Sequence, residues 1–268
     1  MHPIERLRYL ARSSGADQRV LVGETASALR GLGIDHAGLV VACRRIVERH
    51  PTSGPLWWLC AHMLTATEPY AVARTLSNEI DNDLTPEVLI DHLPSDATVC
   101  VMGWPDLVGE ALLRRGDLRV LAVDADGEGA AFVRRLDRAD VAAEIIEPGV
   151  SAAAVLAADL VVVEALAAGA GELLAARSSR AAASVAYCSE VPVWAVVGVG
   201  RCLPDAGFAS LVQRVADVRV PWLAEAEVVP LGLCSHVVLP TGLFDVAAAE
   251  LRPDCPLAQE LLRPAPRT

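Results

Sequence analysis

ATVCVMGWPDLVGEALLRRGDLRVLAVDAD, residues 97–126, is a short apolar run, then a helix-like stretch, then a second apolar run that ends in acidic residues. The alternation continues with VAAEIIEPG (141–149), DLVVVEAL (159–166) and PVWAVVGVG (192–200). These runs contain few polar residues, which is typical of strands that are covered on both faces. Between the last two runs we predict a helix that continues through Arg180. Strand–helix alternation at this spacing predicts an α/β fold with a Rossmann-like, doubly wound parallel sheet.

Upstream of this sheet the apolar residues recur at helical spacing, as in SGPLWWLCAHMLTA (53–66). Its two adjacent tryptophans would point about 100° apart on a helix. We expect one in the core and the other at a contact between domains or subunits. We predict a helical N-terminal domain over residues 1–92, the Rossmann-like α/β domain over 93–252, and a Pro-rich C-terminal tail over 253–268.

The charged residues exclude several kinds of chemistry. The 268-residue chain has a formal net charge of −11, and all 23 of its basic residues are arginine. Without lysine, a Schiff base, a phosphate-loop lysine and a lysine general base are excluded. No stripe of basic and aromatic residues is present, so we predict no nucleic-acid partner. Because the seven cysteines form no CxxC pair and no segment resembles a signal peptide or membrane span, we predict a cytoplasmic protein without a membrane partner.

Polar residues follow several strand ends, where doubly wound sheets bind ligands. The best cluster is acidic: Asp124 and Asp126 follow one predicted strand, and Glu164 lies near the end of another. If these strands are neighbours, crowding of the carboxylates raises a pKa into the acid–base range. The alternative for the two aspartates is that they cap the following helix.

The predicted ligand-binding residues are Gly103, Trp104, Asp124, Asp126, Gly127, Glu164 and Arg201. Arg201 follows a Gly-rich strand end, where it could bind phosphate or form a surface ion pair. Cys100 lies within the first strand, which favours a buried, inert thiol over a nucleophile. GEGAAF (127–132) and GVGRCLPDAG (198–207) do not complete a dinucleotide-binding motif, and no cysteine has metal-ligand spacing. We therefore predict no metal and no cofactor.

The order of several segments resembles one protein family. HPTSGPLWWLCAHML (50–64) is similar to the RPT-x-x-x-LxW helix of the aldose–ketose isomerases that act on methylthioribose 1-phosphate and ribose 1,5-bisphosphate. Residues 96–136 and 157–196 are similar to two further blocks of that family, and LFDVAAAEL (243–251) to its closing FDVTPPEL. The family includes the alpha, beta and delta regulatory subunits of translation initiation factor 2B. The resemblance implies a Rossmann-like sheet of the kind in ribose-5-phosphate isomerase and CoA transferases, and dimers formed through the C-terminal domain.

The resemblance does not extend to the catalytic residues of the isomerases. Their cysteine falls on Gly103, their aspartate on Leu166, and the arginine of their ExRP motif on Asp126. Moving a proton between adjacent sugar carbons needs a positioned acid and base. We therefore predict a non-catalytic relative, a homodimer that senses a small ligand, sugar-like or phosphorylated, or that binds a protein partner.

Two alternatives remain open. One is an aldose–ketose isomerase, or a related enzyme on a phosphorylated sugar, whose chemistry has moved to the candidate catalytic residues Cys100, Asp124 and Glu164. A Cys100 buried away from the cleft and an Asp124 that caps a helix would argue against this enzyme. The other alternative is a translation initiation factor-related subunit.

Overall fold

The computed structural model describes residues 17–33, 35–125, 127–216 and 220–262. The beginning of the predicted N-terminal domain, the end of the predicted tail and Asp126 lie outside these ranges. The N-terminal region is helical, as predicted, with helices α1 (Gln18–Leu32), α2 (His36–Arg49), α3 (Gly54–Thr65), α4 (Pro69–Asp81) and α5 (Thr85–His92). None of the described helices is both long and apolar enough to cross a membrane.

Helix α3 is the centre of the helical region because it is apolar on every side. The Ser53 hydroxyl starts this helix by accepting a hydrogen bond from the backbone N–H of Leu56 at 3.2 Å. The structure buries both tryptophans, since Trp57 and Trp58 are only 3% and 1% exposed. The Arg214 guanidinium lies 4.9 Å from the ring centroid of Trp57. The helical region therefore packs its central helix directly against the second half of the chain.

The main sheet confirms the predicted doubly wound α/β architecture. Its strand order is β3-β2-β1-β4-β6-β8-β9, and every pair along it is parallel except β8–β9. These strands are β1 (Thr98–Met102), β2 (Arg119–Val123), β3 (Ala142–Ile146), β4 (Leu160–Ala168), β6 (Val193–Val196), β8 (His236–Leu239) and β9 (Gly242–Asp245). The central strands are almost completely buried, as their apolar runs predict.

Helices cover both faces of this sheet. They include α6 (Asp106–Leu112), α7 (Gly129–Asp137), α8 (Ser151–Ala157) and α9 (Ser179–Cys188). Helices α8 and α9 pack on one face, and α5, α6 and α7 on the other. This three-layer arrangement leaves the carboxyl ends of the strands open towards the helical region.

The chain departs from the predicted alternation after β4. Instead of the predicted helix through Arg180, strand β5 (Glu172–Ala176) turns back antiparallel to β4, and helix α9 begins only at Ser179. Strand β5 also pairs with β7 (Ala226–Pro230). A short apolar run such as ELLAA fits a buried strand or a buried helix equally well. Its pairing with β7, distant in sequence, makes it a strand.

The tail packs against the helical region as far as Leu262. Helix α10 (Asp205–Ala216) precedes it, and the described part of the tail includes helix α11 (Gln259–Leu262). Cys255, Ala258 and Leu261 are buried in the same hydrophobic core as helix α3. The Arg214 guanidinium donates a hydrogen bond to the backbone carbonyl of Leu261 at 2.7 Å. The described part of the tail thus stabilises the core of the helical region.

Candidate functional site

A cleft of about 990 Å³ lies between the start of helix α1 and the carboxyl ends of the parallel strands. Doubly wound sheets bind their ligands at this edge. Four predicted site residues line it: Trp104, Gly127, Glu164 and Arg201. The other titratable lining residues are Asp17, Arg19, His50, Asp106, Glu110, Glu128, Arg135, Arg177 and Glu225. None of this second group was among the predicted ligand-binding or catalytic residues.

A buried ion pair forms the floor of the cleft. Nη1 of Arg201 lies 2.8 Å from Oε1 of Glu164, and the two side chains are 2% and 6% exposed. Oε2 of Glu164 accepts a hydrogen bond from the backbone N–H of Val108, in the first turn of α6, at 2.9 Å. Arg201 also donates to the backbone carbonyl of Ala165. Both carboxylate oxygens of Glu164 are therefore bonded within the protein.

Asp106 lies beside this pair at the first position of helix α6. Its Oδ2 is 3.8 Å from Nη2 of Arg201 and accepts a hydrogen bond from the backbone N–H of Gln18 at 3.1 Å. Burial, followed by the nearby Glu164 carboxylate, raises the pKa of Asp106 to about 6. Burial alone lowers the pKa of Arg201, but Glu164 and Asp106 outweigh it and raise that pKa overall. Arg201 is thus a permanent cation, while Asp106 titrates near neutral pH.

The opposite wall of the cleft comes from helix α1. Arg19 forms an ion pair with Glu110 on helix α6, and its Nε lies 3.7 Å from Oδ1 of Asp17. Asp17 also caps α1, since its carboxylate accepts a hydrogen bond from the backbone N–H of Arg19 at 2.8 Å. These contacts hold the helical region against the sheet domain across the cleft.

The rim of the cleft carries an aromatic group. The ring centroids of Trp104 and Phe132 are 5.8 Å apart, and the Arg135 guanidinium lies 5.8 Å from the Trp104 centroid. Gly127, with φ of +81°, completes the rim near Trp104. Asp126, predicted to bind ligand at this rim, lies outside the described residues.

Three other predicted site residues do not line the described cleft. Asp124 caps helix α7: its Oδ1 accepts a hydrogen bond from the backbone N–H of Gly129 at 2.9 Å. Cys100 lies in the middle of β1 with no exposed surface, and burial raises the pKa of its thiol to about 12. Gly103 has φ of +62° and forms the turn that leads from β1 to Trp104.

The far end of the cleft is formed by Arg177 and Ser179. The Arg177 guanidinium donates to the backbone carbonyls of Ala224 and Leu223 at 2.6 and 2.8 Å. Ser179, the first residue of α9, is 1% exposed and lies against the cleft. Local sequence patterns do not mark Arg177 and Ser179 as site residues. They follow strand β5, whose pairing with β7 was not predicted, and that pairing places them at the cleft.

The charges of the cleft largely pair with one another. Among the residues that the structure describes, six carboxylates and four arginines line it. The floor arginine and the α1 arginine are both in ion pairs with carboxylates. Within the described ranges, no three His, Cys, Asp or Glu residues lie close enough together to hold a metal ion. The arrangement offers hydroxyl and charged groups of a ligand many partners, together with one carboxyl group that titrates near neutral pH.

Comparison with known proteins identifies the architecture. No protein-family profile and no curated protein sequence matches this chain. Among solved structures, translation initiation factor eIF-2B of Pyrococcus horikoshii OT3 matches with a TM-score of 0.73 at 12% identity, over 91% of this chain and 96% of that one. The eIF2B beta subunit of Chaetomium thermophilum matches with a TM-score of 0.67 at 16% identity, over 91% and 88%.

A third match is the tetrameric eIF2B-beta2-delta2 complex of C. thermophilum, with a TM-score of 0.65 at 18% identity over 91% of each chain. These likenesses span both the helical region and the sheet, in the order that the sequence blocks predict. The protein therefore has the fold of the eIF2B subunits, which confirms the predicted resemblance at the level of architecture.

Proposed function

We propose that this protein is a non-catalytic, ligand-sensing regulatory protein with the eIF2B fold. The observation that carries this proposal is the bonding of Glu164. One oxygen pairs with Arg201 and the other caps helix α6, so neither is free to act on a substrate. The other two candidate catalytic residues also have structural roles, since Cys100 is buried in β1 and Asp124 caps helix α7.

Contacts across the cleft support a sensing role. Helix α1 reaches the sheet domain through the ion pair of Arg19 with Glu110 and the hydrogen bond from Gln18 to Asp106. A ligand that contacts both helix α1 and the sheet domain stabilises the arrangement of the helical region and the sheet domain in which it binds best. Occupancy of the cleft would then change the surface that the two parts present to a protein partner.

The ligand class follows from the charges. Because carboxylates outnumber arginines in the described part of the lining, two phosphates of one ligand would meet net repulsion there. A ligand with hydroxyl or cationic groups, or with one phosphate near Arg177, fits better. We propose a small, sugar-like ligand of this kind.

A thermal-shift screen tests the proposal with sugar mono- and bisphosphates, nucleotides and polyols as probes. A ligand at 100 times its Kd stabilises the folded state by about 2.7 kcal/mol. Arg135 lines the cleft and its neighbour Arg134 does not, so Arg135→Ala and Arg134→Ala are a matched pair. We expect a stabilising compound whose effect falls in Arg135→Ala and persists in Arg134→Ala. No stabilisation by any compound, or equal losses in both variants, would contradict a ligand site here.

One observation favours the enzyme alternative, an aldose–ketose isomerase or related enzyme on a phosphorylated sugar. Asp106 has a pKa of about 6 at the edge of the cleft, which suits a general acid or base. Isomerisation in D₂O exchanges a carbon-bound proton of the sugar for deuterium, which NMR detects. Deuterium exchange that occurs with wild type and is lost in Asp106→Asn would contradict the sensing proposal and support catalysis.

We propose that the protein works in the cytoplasm, as a homodimer or with a protein partner. The C. thermophilum relatives with this fold form a beta2-delta2 tetramer, which supports assembly. A translation initiation factor role rests on the shared fold alone, and one fold hosts many functions. Capture of translation factors by the tagged chain would support that alternative.

A further inference from the structure

The main sheet ends at strand β3, whose outer edge has no partner strand among the described residues. Its five residues pair with β2 on the other side in an unbroken parallel register. Ala142, Glu144 and Ile145 are exposed, and Ile145 keeps 43% of its surface in solvent. The central strands of the same sheet are almost completely buried. Strand β3 is therefore an open edge to which a further strand can add.

The hydrogen bonds of β3 show which of its backbone groups face outward. The carbonyl of Ile146 accepts a hydrogen bond from the backbone N–H of Asp124 at 2.9 Å, so the backbone of Ile146 faces β2. Successive residues of a strand direct their N–H and C=O groups to opposite sides. Ala143 and Ile145 therefore direct theirs away from β2. Each of these two residues offers one donor and one acceptor to an added strand.

This edge lacks the usual protection. Soluble proteins protect edge strands with proline, lysine, a bulge or a covering element. Strand β3 contains neither residue, and its register with β2 has no bulge. Helix α7 packs against β3 on the side of Ala143, whereas Ala142 and Glu144 on the other side are exposed. In contrast, β7 pairs only with β5 among the described strands but packs against both α9 and α10. The open edge of β3 is thus a particular feature of this strand.

The surroundings of the edge are acidic. Four exposed carboxylates lie on β3 or beside it: Asp137, Asp140, Glu144 and Glu147. The same stretch, 137–147, contains one arginine, Arg138. Glu144 also pairs with Arg119 of β2, but both side chains are more than half exposed, and such a pair contributes little to stability. These charges repel an acidic segment and attract a basic one.

We propose that an extended, basic segment of a partner protein adds to the outer edge of β3 as a further strand. Its backbone would pair with Ala143 and Ile145, and an apolar side chain would cover Ile145. In this mode of recognition, main-chain hydrogen bonds supply the affinity and alternate side chains supply the specificity. A second copy of this chain is a poorer occupant, because its net charge of −11 and its own acidic edge would be repelled.

The edge is separate from the ligand cleft, since none of residues 141–150 lines the described part of the cleft. The inference rests on the proposed function only in giving its protein partner a place to bind. The two proposals therefore fail separately. A stabilising cleft ligand without any binding at the edge would remove this surface and leave the sensing proposal. Binding at the edge without a cleft ligand would do the reverse.

A displayed library of random peptides, selected on the full chain, tests the proposal. We expect the enriched peptides to combine basic residues with alternating β-branched residues, and these peptides are then synthesised as probes. Ile145→Pro removes an outward N–H and no hydrogen bond to β2. It should keep the circular dichroism of wild type and bind the peptides about tenfold more weakly, or worse. Ile145→Thr is the matched control, because it keeps the N–H, and it should weaken binding far less. Isothermal titration calorimetry measures each Kd.

Methylation of the peptide backbone separates strand pairing from side-chain contact without changing the protein. Alternate N–H groups of an added strand face β3. N-methylation at one set of alternate positions should therefore abolish binding, and at the other set it should have little effect. No enriched peptide, enrichment of acidic peptides, equal losses at all methylated positions, or equal binding by wild type and Ile145→Pro would each overturn the proposal. A sedimentation mass that falls in Ile145→Pro would place a second copy on the edge and overturn the choice of partner.

Discussion

The indole of Trp58 lies directly against the backbone of Gly200. A Cβ added at Gly200 would lie 2.9 Å from Cδ2 of Trp58, and Gly200 has φ of +75°. The backbone N–H of Gly200 donates to Oδ2 of Asp254 in the tail at 3.0 Å. Because Arg201 follows directly, the helical region and the tail together fix the loop that carries the floor of the cleft.

Gly200→Ala should lower the free energy of unfolding by about 2–4 kcal/mol, since the new methyl group meets Trp58 and alanine disfavours positive φ. Urea denaturation measures this loss. Gly23→Ala is the control: Gly23 lies inside helix α1, and nothing lies within 4 Å of an added Cβ. That change should stabilise by about 0.5–1 kcal/mol. A neutral Gly200→Ala would contradict the tight packing of Trp58 against the loop.

Glu164→Gln should destabilise the protein strongly, because it removes the nearest charged partner of the buried Arg201 and leaves Asp106, at 3.8 Å, as its remaining ion-pair partner. Breaking a buried pair from one side costs about 3–5 kcal/mol. Glu144→Gln is a matched control, since Glu144 pairs with Arg119 at 2.9 Å but both side chains are more than half exposed. Its cost should stay below about 1 kcal/mol. Chemical denaturation measures both variants. Similar losses of unfolding free energy would show that burial does not determine how much the Glu164–Arg201 pair matters for stability.

Asp106 should make stability depend on pH. Its pKa of about 6 in the folded protein lies above the ordinary value of 3.8. The folded state therefore binds the proton more tightly than the unfolded state. The resulting stabilisation is complete below about pH 4 and is lost as pH rises through about 6. Stability measured from pH 4 to 7 should thus fall more steeply for wild type than for Asp106→Asn, and parallel curves would contradict the raised pKa.

Much of the sheet follows from local patterns. The runs that become β1, β2, β4 and β6 are short, apolar and separated by helical stretches, and each forms the predicted parallel strand. Strand β5 was missed because only its pairing with β7 distinguishes a buried strand from a buried helix. That pairing joins residues such as Leu173 and Val229, which are far apart in sequence.

The site was predictable only where local sequence patterns determine it, and its contacts between distant residues were not. Glu164 and Arg201 each follow from their places near strand ends, but their ion pair depends on the parallel register that sets Glu164 beside Val196. Asp106 was missed because its partner Gln18 lies 88 residues earlier. No local spacing reports such a contact between the helical region and the sheet.

The tail should contribute to stability through one buried leucine. Leu261 has no exposed surface, whereas Leu257 is 40% exposed, so these two residues of the same segment are matched. Leu261→Ala should lower the free energy of unfolding by about 2–4 kcal/mol, because it removes buried methyl groups and leaves a cavity in the helical core. Leu257→Ala should cost well under half as much. Urea denaturation of both variants measures the difference, and equal losses would contradict the docking of helix α11 between α2 and α10.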